Sequence, residues 1–284
     1  MRHATSFLLL LVTRMSVQTP VFYGGYINYD LEKLNGTNMY KAIVQVITGW
    51  ELGTGPCGTN CKANRVGTST LAYRRLNDKV NFGNYTLDAK VNSNNVFDIS
   101  INDKVMNTMQ ESVLDVSESE KWEQVIATFA FELNGTVEVD ISVDGNYWRN
   151  LTYQGHRSLP WHLQTQIKPN VRTDTNKPNR APKCLPKPFY RILLNKTTTI
   201  HFPVYYEDND LVKCQMSKFI EAGTLNAPVG TTVNTNCSVT IEASDRYKYA
   251  NDSWIGIPIT VRDYQKTSLD FHEVSSSTLV VICS

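Results

Sequence analysis

Cys57 and Cys61 stand in the stretch Gly53-Thr54-Gly55-Pro56-Cys57-Gly58-Thr59-Asn60-Cys61. Two thiolates at C-x3-C spacing can ligate zinc, but a tetrahedral site needs two further ligands, and no second Cys or His pair has suitable spacing. The glycines and the proline forbid regular structure here, so the pair reads as a disulfide-stapled loop. His156, His162, His201 and His272 lie in four separate segments. None belongs to a G-x-S-x-G, H-E-x-x-H or comparable motif, and there is no glycine-rich phosphate loop. A glycosidase needs two carboxylates facing each other, which separate loops can supply without a sequence signature. The expectation is a protein without catalytic residues. A second candidate for chemistry is basic. Between Pro160 and Pro188, prolines interleave with Lys168, Arg172, Lys177, Arg180, Lys183 and Lys187, and Asp174 is the only acid. Arg172, Lys177 and Arg180 are the candidate ligand-binding residues, for a sulfated glycan or an acidic partner. The plainer reading of the segment is a solvated, semi-extended linker.

The elements that must carry these residues are strands. Gly24–Tyr29 and Tyr40–Ile47 read as the first two. Alternation continues through Leu71 to Asp103, with Val96, Phe97, Ile99 and Ile101. Val105 to Glu123 is acidic and reads as a loop or a single helix. Ala127, Phe129, Phe131 and Leu133 alternate, and Asn134-Gly135 is a hairpin dipeptide leading to Val137, Val139, Ile141 and Val143. Asp144-Gly145 reads as the next tight turn. In the second half, Ile200, Phe202 and Val204 alternate up to the acidic turn Glu207-Asp208-Asn209-Asp210, after which Leu211-Val212 runs into Cys214. Ile255, Ile257, Ile259 and Val261 form a further strand, with Pro258 on the other side arguing for a sheet edge. Strands with no helical period between them predict an all-β fold of two antiparallel β-sandwich domains in tandem. The expected boundaries are residues 19–165, a Pro/Lys/Arg-rich linker at 166–188, and residues 189–284.

Composition and termini place the chain outside the cell. The 284 residues carry a net charge of +1, with 41% apolar and 19% charged residues. That balance gives no drive toward nucleic acid. Arg2 and His3 precede the apolar run Phe7–Val12, too short to span a bilayer, so residues 1–18 read as a signal peptide. No later stretch approaches the roughly 20 apolar residues of a membrane helix. Six cysteines fit an oxidising compartment. Six allow 15 pairings; proximity favours Cys57–Cys61 and Cys214–Cys237, leaving Cys184–Cys283 to tie the start of the second domain to its last strand. Glycosylation is expected at Asn35, Asn84, Asn134, Asn150, Asn195 and Asn251. Asn236 is set apart because it adjoins a bridged cysteine. The function class that follows is a secreted binding or adhesion module for an extracellular protein or glycan, with a structural matrix glycoprotein as the alternative and a glycan-active enzyme behind both. Trp148, Trp161 and Trp254 discriminate: lining one groove they favour glycan recognition, and buried they leave the matrix reading standing.

Several motifs occur in the order found in one family. They are Gly24-Gly25-x-Ile27, then Trp50 and Cys61 with Val66-Gly67-Thr68, then Thr165–Thr173 containing Gln-Ile-Lys-Pro-Asn-Val-Arg-Thr. Ile200-x-x-Pro203-Val204 follows, running through Asp208-x-Asp210-x-Val212-x-Cys214, and then Asn236-Cys237-Ser238-Val239 and Ile257-x-Ile259-x-Val261-x-Asp263. In these the chain resembles secreted proteins of aquatic invertebrates that often precede EGF-like, hyaline-repeat or von Willebrand factor A modules. The resemblance implies tandem Ig-like or cadherin-like modules and no catalytic activity. The family's acidic turn is similar to Asp-Pro-Asp-Gly-Asp, carboxylates spaced for a hard cation. Here Tyr206 replaces the first Asp and Asn209 the glycine, leaving Glu207, Asp208 and Asp210 as candidate calcium ligands. Ca²⁺ takes six to eight oxygens, so these three with backbone carbonyls make at most a weak site; no other cofactor is expected.

Overall fold

The computed structural model describes residues 20–71, 74–76, 79–81, 85–91, 110–145, 148–152, 160–206, 210–218, 221, 226–266 and 271–283, with side chains described over 20–69, 111–145, 148–152, 160–206, 210–218, 221 and 226–265. The expected signal peptide, Asn84, His156, Glu207, Asp208 and the side chains of His272 and Cys283 lie outside these. The described chain is all-β, its sheets almost wholly antiparallel, with short 3-10 turns at Ala63–Arg65 and Asp245–Tyr247. Among the described residues no helix is long and apolar enough to cross a membrane.

Strand Phe22–Lys33 pairs with Met39–Glu51, which pairs with Trp122–Asn134, which pairs with Gln110–Ser117. Residues 105–123, expected as loop or helix, therefore supply a strand over Gln110–Ser117. Of its two acids, Asp115 sits with Leu114 at an irregularity of the pairing and faces solvent, whereas Glu111 is buried. The Asn134-Gly135 turn is not a hairpin. Met39–Glu51 occupies one edge of Trp122–Asn134 along its whole length and Gln110–Ser117 the other over Trp122 to Thr128, and the chain crosses to Val139–Gly145, which pairs with Tyr85–Val91 and Trp161–Ile167 instead. Asn134 Oδ1 accepts from the Thr136 N–H and hydroxyl, while the Gly135 N–H donates to the Asn38 carbonyl. The turn chemistry is present, but it serves a crossover.

The last strand, Phe271–Cys283, joins the two halves of the sequence. It pairs along its length with Ile255–Lys266, at Gly25↔Val280 and Tyr26↔Leu279 with the first strand, and at Thr165↔Ser277 with Trp161–Ile167. Hydrogen bonding thus runs across the expected domain boundary within a single 14-stranded sheet. Ile255–Lys266 is also not an edge, since Leu211–Met216 takes its other side. That ladder stops at Met216↔Ile259, just short of Pro258. The Pro258 carbonyl accepts the Ser217 N–H, so its missing N–H points where no ladder acceptor waits. The Ile200–Cys214 stretch is broken at Pro203. Lys196–His201 pairs with Ser238–Ala243, Val204–Tyr205 pairs with Lys183–Cys184, and Leu211–Met216 belongs to the large sheet.

Two hydrophobic clusters fill the fold. The first gathers Ile27, Val44, Phe129, Ile141 and Leu163 with an aromatic group in which Phe22 stacks on Trp161 at 3.8 Å. The second gathers Ile200, Phe202, Val239, Ile241 and the Ile255–Val261 strand, and takes Tyr26 and Ile47 from the first half. Because successive side chains point to opposite faces, Ile27 and Tyr26 reach different cores. This is why Phe22 to Tyr29 is buried at every position instead of alternating.

Candidate functional site

Among the described residues, three places bring chemistry-bearing groups together, and two of them involve candidate residues singled out by sequence. Arg172 is 5% exposed and Asp210 8%. The guanidinium donates to both Asp210 oxygens, to Asp174 (Nη2–Oδ2 2.6 Å, Nε–Oδ1 3.0 Å) and to Asn179 Oδ1 (2.7 Å). Asn179 Nδ2 in turn donates to Asp263 Oδ2 at 2.7 Å, and Asp263 is buried in the strand Ile255–Lys266. A turn makes this geometry: Val171 bridges Pro178, and the Arg172 and Lys177 backbones bond each other, so residues 172–177 fold back and aim the side chain inward. Burial alone would lower the Arg172 pKa; the hydrogen bonds and charges of Asp210 and Asp174 more than offset it and raise it. Hydrogen bonding to Arg172 holds the Asp174 carboxyl below its usual range.

Two expectations are thereby corrected. Arg172 is not part of a solvated basic strip: it is consumed internally, leaving Lys177 exposed and Arg180 partly buried. Asp210 is not free to serve as a calcium ligand, because both of its oxygens accept from the Arg172 guanidinium. The stretch expected as a solvated linker is in part core, with Asn179, Ala181 and Cys184 buried.

The second place is the stapled loop. Cys57–Cys61 and Cys214–Cys237 are disulfides, as proximity suggested. The expected Cys184–Cys283 bridge is not made; Cys184 is a free thiol inside the second cluster, and burial pushes its pKa up to about 12. Beneath the Cys57–Cys61 loop lies Glu123, at 0% exposure, with Gly53 N–H donating to Oε2 (2.8 Å) and Cys57 N–H to Oε1 (3.1 Å). Gly55 is required for this approach. A Cβ there would lie 2.5 Å from Glu123 Oε1 and 2.4 Å from Trp50 Cγ. Glu111, on the neighbouring strand and also 0% exposed, is the second acid of the group. Desolvation raises the Glu111 pKa to about 8, with the Glu123 charge adding to it, and raises Glu123 to about 7 against the two backbone donors. Both acids are sealed, and no glycan chain reaches a carboxyl at 0% exposure. The sulfurs are bonded to each other and so offer no thiolate to zinc. Sequence reasoning noticed the staple and missed the acids. The alternation Glu123, Val125, Ala127, Phe129 puts Glu123 on the buried face, which was the readable sign.

The third place is a two-stranded ribbon, Lys183–Cys184 with Val204–Tyr205. Cys184 faces the core, so alternation turns Leu185, Pro203 and Tyr205 outward; Leu185 N–H donates to the Pro203 carbonyl directly opposite. Leu185 is 52% exposed, Tyr205 61% and Tyr206 53%. Lys183 on the same face is held by Asp30 at 3.0 Å.

The remaining expected markers fall elsewhere. Trp148 and Trp161 are buried, and Trp254 is partly buried, stacked on Tyr23 with Arg149 over its ring at 4.2 Å. They line no common exposed groove. His162 Nδ1 lies 2.6 Å from Asp144 Oδ1, and Ser142 Oγ is 3.5 Å from Asp144 Oδ2. With the carboxylate in the middle, the imidazole cannot take the serine proton, so the trio is not a nucleophilic triad. His201 is exposed, as expected. Asn35, Asn134, Asn150, Asn195, Asn236 and Asn251 are all exposed. An open groove lined by Thr152, Pro228, Val229, Tyr247 and Lys248 also contains Asn251, so a glycan on that sequon would fill it. Comparisons with protein-family models, curated proteins and solved structures find no match for the chain.

Proposed function

We propose that this is a secreted, non-enzymatic binding or adhesion module of two sandwich units that recognises a protein ligand through the ribbon carrying Leu185, Pro203, Tyr205 and Tyr206. The observation that carries the reading is that ribbon. Large apolar side chains are set outward side by side on a regular backbone, where they gain nothing for folding, and contiguous exposed apolar surface marks interaction sites. Tyrosine supplies contact area at low entropic cost. The two disulfides support an extracellular setting. Burial of Trp148 and Trp161 supports a protein ligand over a glycan, because the aromatic platforms that stack on sugar rings are used in the core. The expected family resemblance points the same way.

The test is an array of cell-surface proteins and glycans probed with the full chain made in a secreting host. A protein ligand lost on Leu185→Ser and Tyr205→Ser, with melting temperature unchanged, is the expected result; a glycan ligand unaffected by both overturns it. The exposed sequons favour a second reading, a glycan-shielded matrix component. Under that reading the array is blank and the chain self-associates in sedimentation experiments.

A further inference from the structure

The two disulfides differ in what surrounds them. Cys214–Cys237 closes a sequence separation of 23 and is packed among Ile200, Phe202 and Val239 in the second cluster. Cys57–Cys61 closes a separation of 4; its cysteines are buried, at 8% and 5% exposure, but they lie directly under the exposed loop residues Thr59, Asn60, Lys62 and Ala63. A short closed loop restrains the unfolded chain less, so the bridge contributes less to folding. Something else is positioned there. Both sulfurs and a carboxyl oxygen of Glu123 lie within 4.8 Å of one another, and this is the one such convergence of Cys, His, Asp and Glu side chains among the described residues.

We propose that Cys57–Cys61 is an exchange-competent disulfide and that Glu123 is the proton donor and acceptor for its opening and closing. Thiol–disulfide exchange needs an attacking thiolate and a leaving sulfur that is protonated as it departs. Each Glu123 oxygen accepts a backbone N–H, from Gly53 and Cys57, which fixes the carboxyl beside the sulfurs. Burial keeps that proton on the carboxyl up to about pH 7. The reductant class is a dithiol. One of its thiolates attacks a bridge sulfur, the S–S bond breaks, and the departing cysteine sulfur takes the electron pair and the Glu123 proton. The second thiol of the reagent loses its proton to water and, as thiolate, attacks the reagent's own sulfur in the mixed disulfide, which releases the remaining cysteine sulfur. That sulfur and the Glu123 carboxylate each take a proton from water, replacing the two that the reagent thiols had released. Two electrons and two protons pass from the dithiol to Cys57 and Cys61. Of the charged groups on the elements packed around Glu123, Glu111 couples to it across the sheet, while Lys62, Arg65, Glu118 and Lys121 are exposed and Glu51 is held by Arg149 at 3.1 Å.

The test uses the full oxidised chain under limiting dithiothreitol, quenched by alkylation and read by peptide mass spectrometry, with Cys214–Cys237 in the same molecule as the internal reference. Cys57–Cys61 is expected to open first. Glu123→Gln is expected to slow that opening about a hundredfold below pH 7, the low end of general-acid contributions, and to flatten its pH profile once the reagent's thiolate fraction is divided out, leaving Cys214–Cys237 unchanged. A variant that merely loosened the loop would speed opening, so loss of the donor and loss of structure move the rate in opposite directions. Opening no faster than Cys214–Cys237, or an unchanged or faster rate in Glu123→Gln, overturns the proposal.

Discussion

Buried carboxylates occur in two places in this protein, and each place solves the cost of burying charge differently. Around Arg172, the buried Asp210 and Asp263 have oxygens engaged by the guanidinium and by the Asn179 amide, and hydrogen bonding to Arg172 lowers the pKa of the more exposed Asp174. Under the Cys57–Cys61 loop, Glu111 and Glu123 have no cation among the groups that set their titration, and they avoid charge by holding their protons. Desolvation favours the neutral form of a carboxyl, whereas hydrogen bonds and an opposite charge favour the ionised one. The first arrangement fixes a joint rigidly. The second keeps a proton available in the interior.

The largest effect expected from breaking this contrast is at Arg172. Arg172→Met leaves Asp210 buried without its partner and should cost about 3–5 kcal/mol in urea unfolding. Adding Asp210→Asn to that variant should recover most of the loss, and a double variant no better than the single one would mean that Asp174 alone sets the cost.

The Glu pair should show itself as pH dependence. Both folded pKa values are raised above 4.5, so the protonated form is favoured in the folded state. That contribution is fully present below about pH 4.5 and is lost as pH rises to about 8, each tenfold gain in proton affinity on folding being worth roughly 1.4 kcal/mol. Unfolding free energy should fall by a few kcal/mol across this window, and Glu111→Gln should flatten the fall. The Asp174–Arg172 pair has the opposite sign. Its stabilisation is present above pH 3.8, the ordinary Asp value, and lost in stronger acid.

Gly55→Ala should come next, costing about 1–3 kcal/mol by overpacking against Trp50 and Glu123. It should also lower the pH at which the pair ionises, because it pushes the loop away and admits water. The smallest effect expected is none: EDTA and Ca²⁺ should leave the melting temperature of the unaltered chain unchanged, since both Asp210 oxygens accept from Arg172. A stabilisation by Ca²⁺ would place a cation on the turn despite Arg172.

Much of the first cluster was legible, because Val125 to Leu133 and Val139 to Val143 alternate in sequence as they do in burial. The pairing of those strands was not. Asn134-Gly135 carries a hairpin signal, yet Val139–Gly145 takes Tyr85–Val91 and Trp161–Ile167 as its partners, and which partners a strand takes is set by elements far away in sequence. Pro258 misled for the same reason, since a proline is harmless in an interior strand where one ladder happens to end.

The sequence by itself determined the class of structure: strand content, the two short-range disulfides and the exposed sequons are consequences of local pattern and spacing. Only the tertiary structure decided what the charged residues do. Arg172 meets Asp210 across 38 residues, Asn179 meets Asp263 across 84, and Glu123 meets Gly53 across 70. A basic residue in a proline-rich segment and an acid on a strand look solvated in one dimension. Whether they are is settled by which surfaces the packed sheets remove from water, and no local pattern records that.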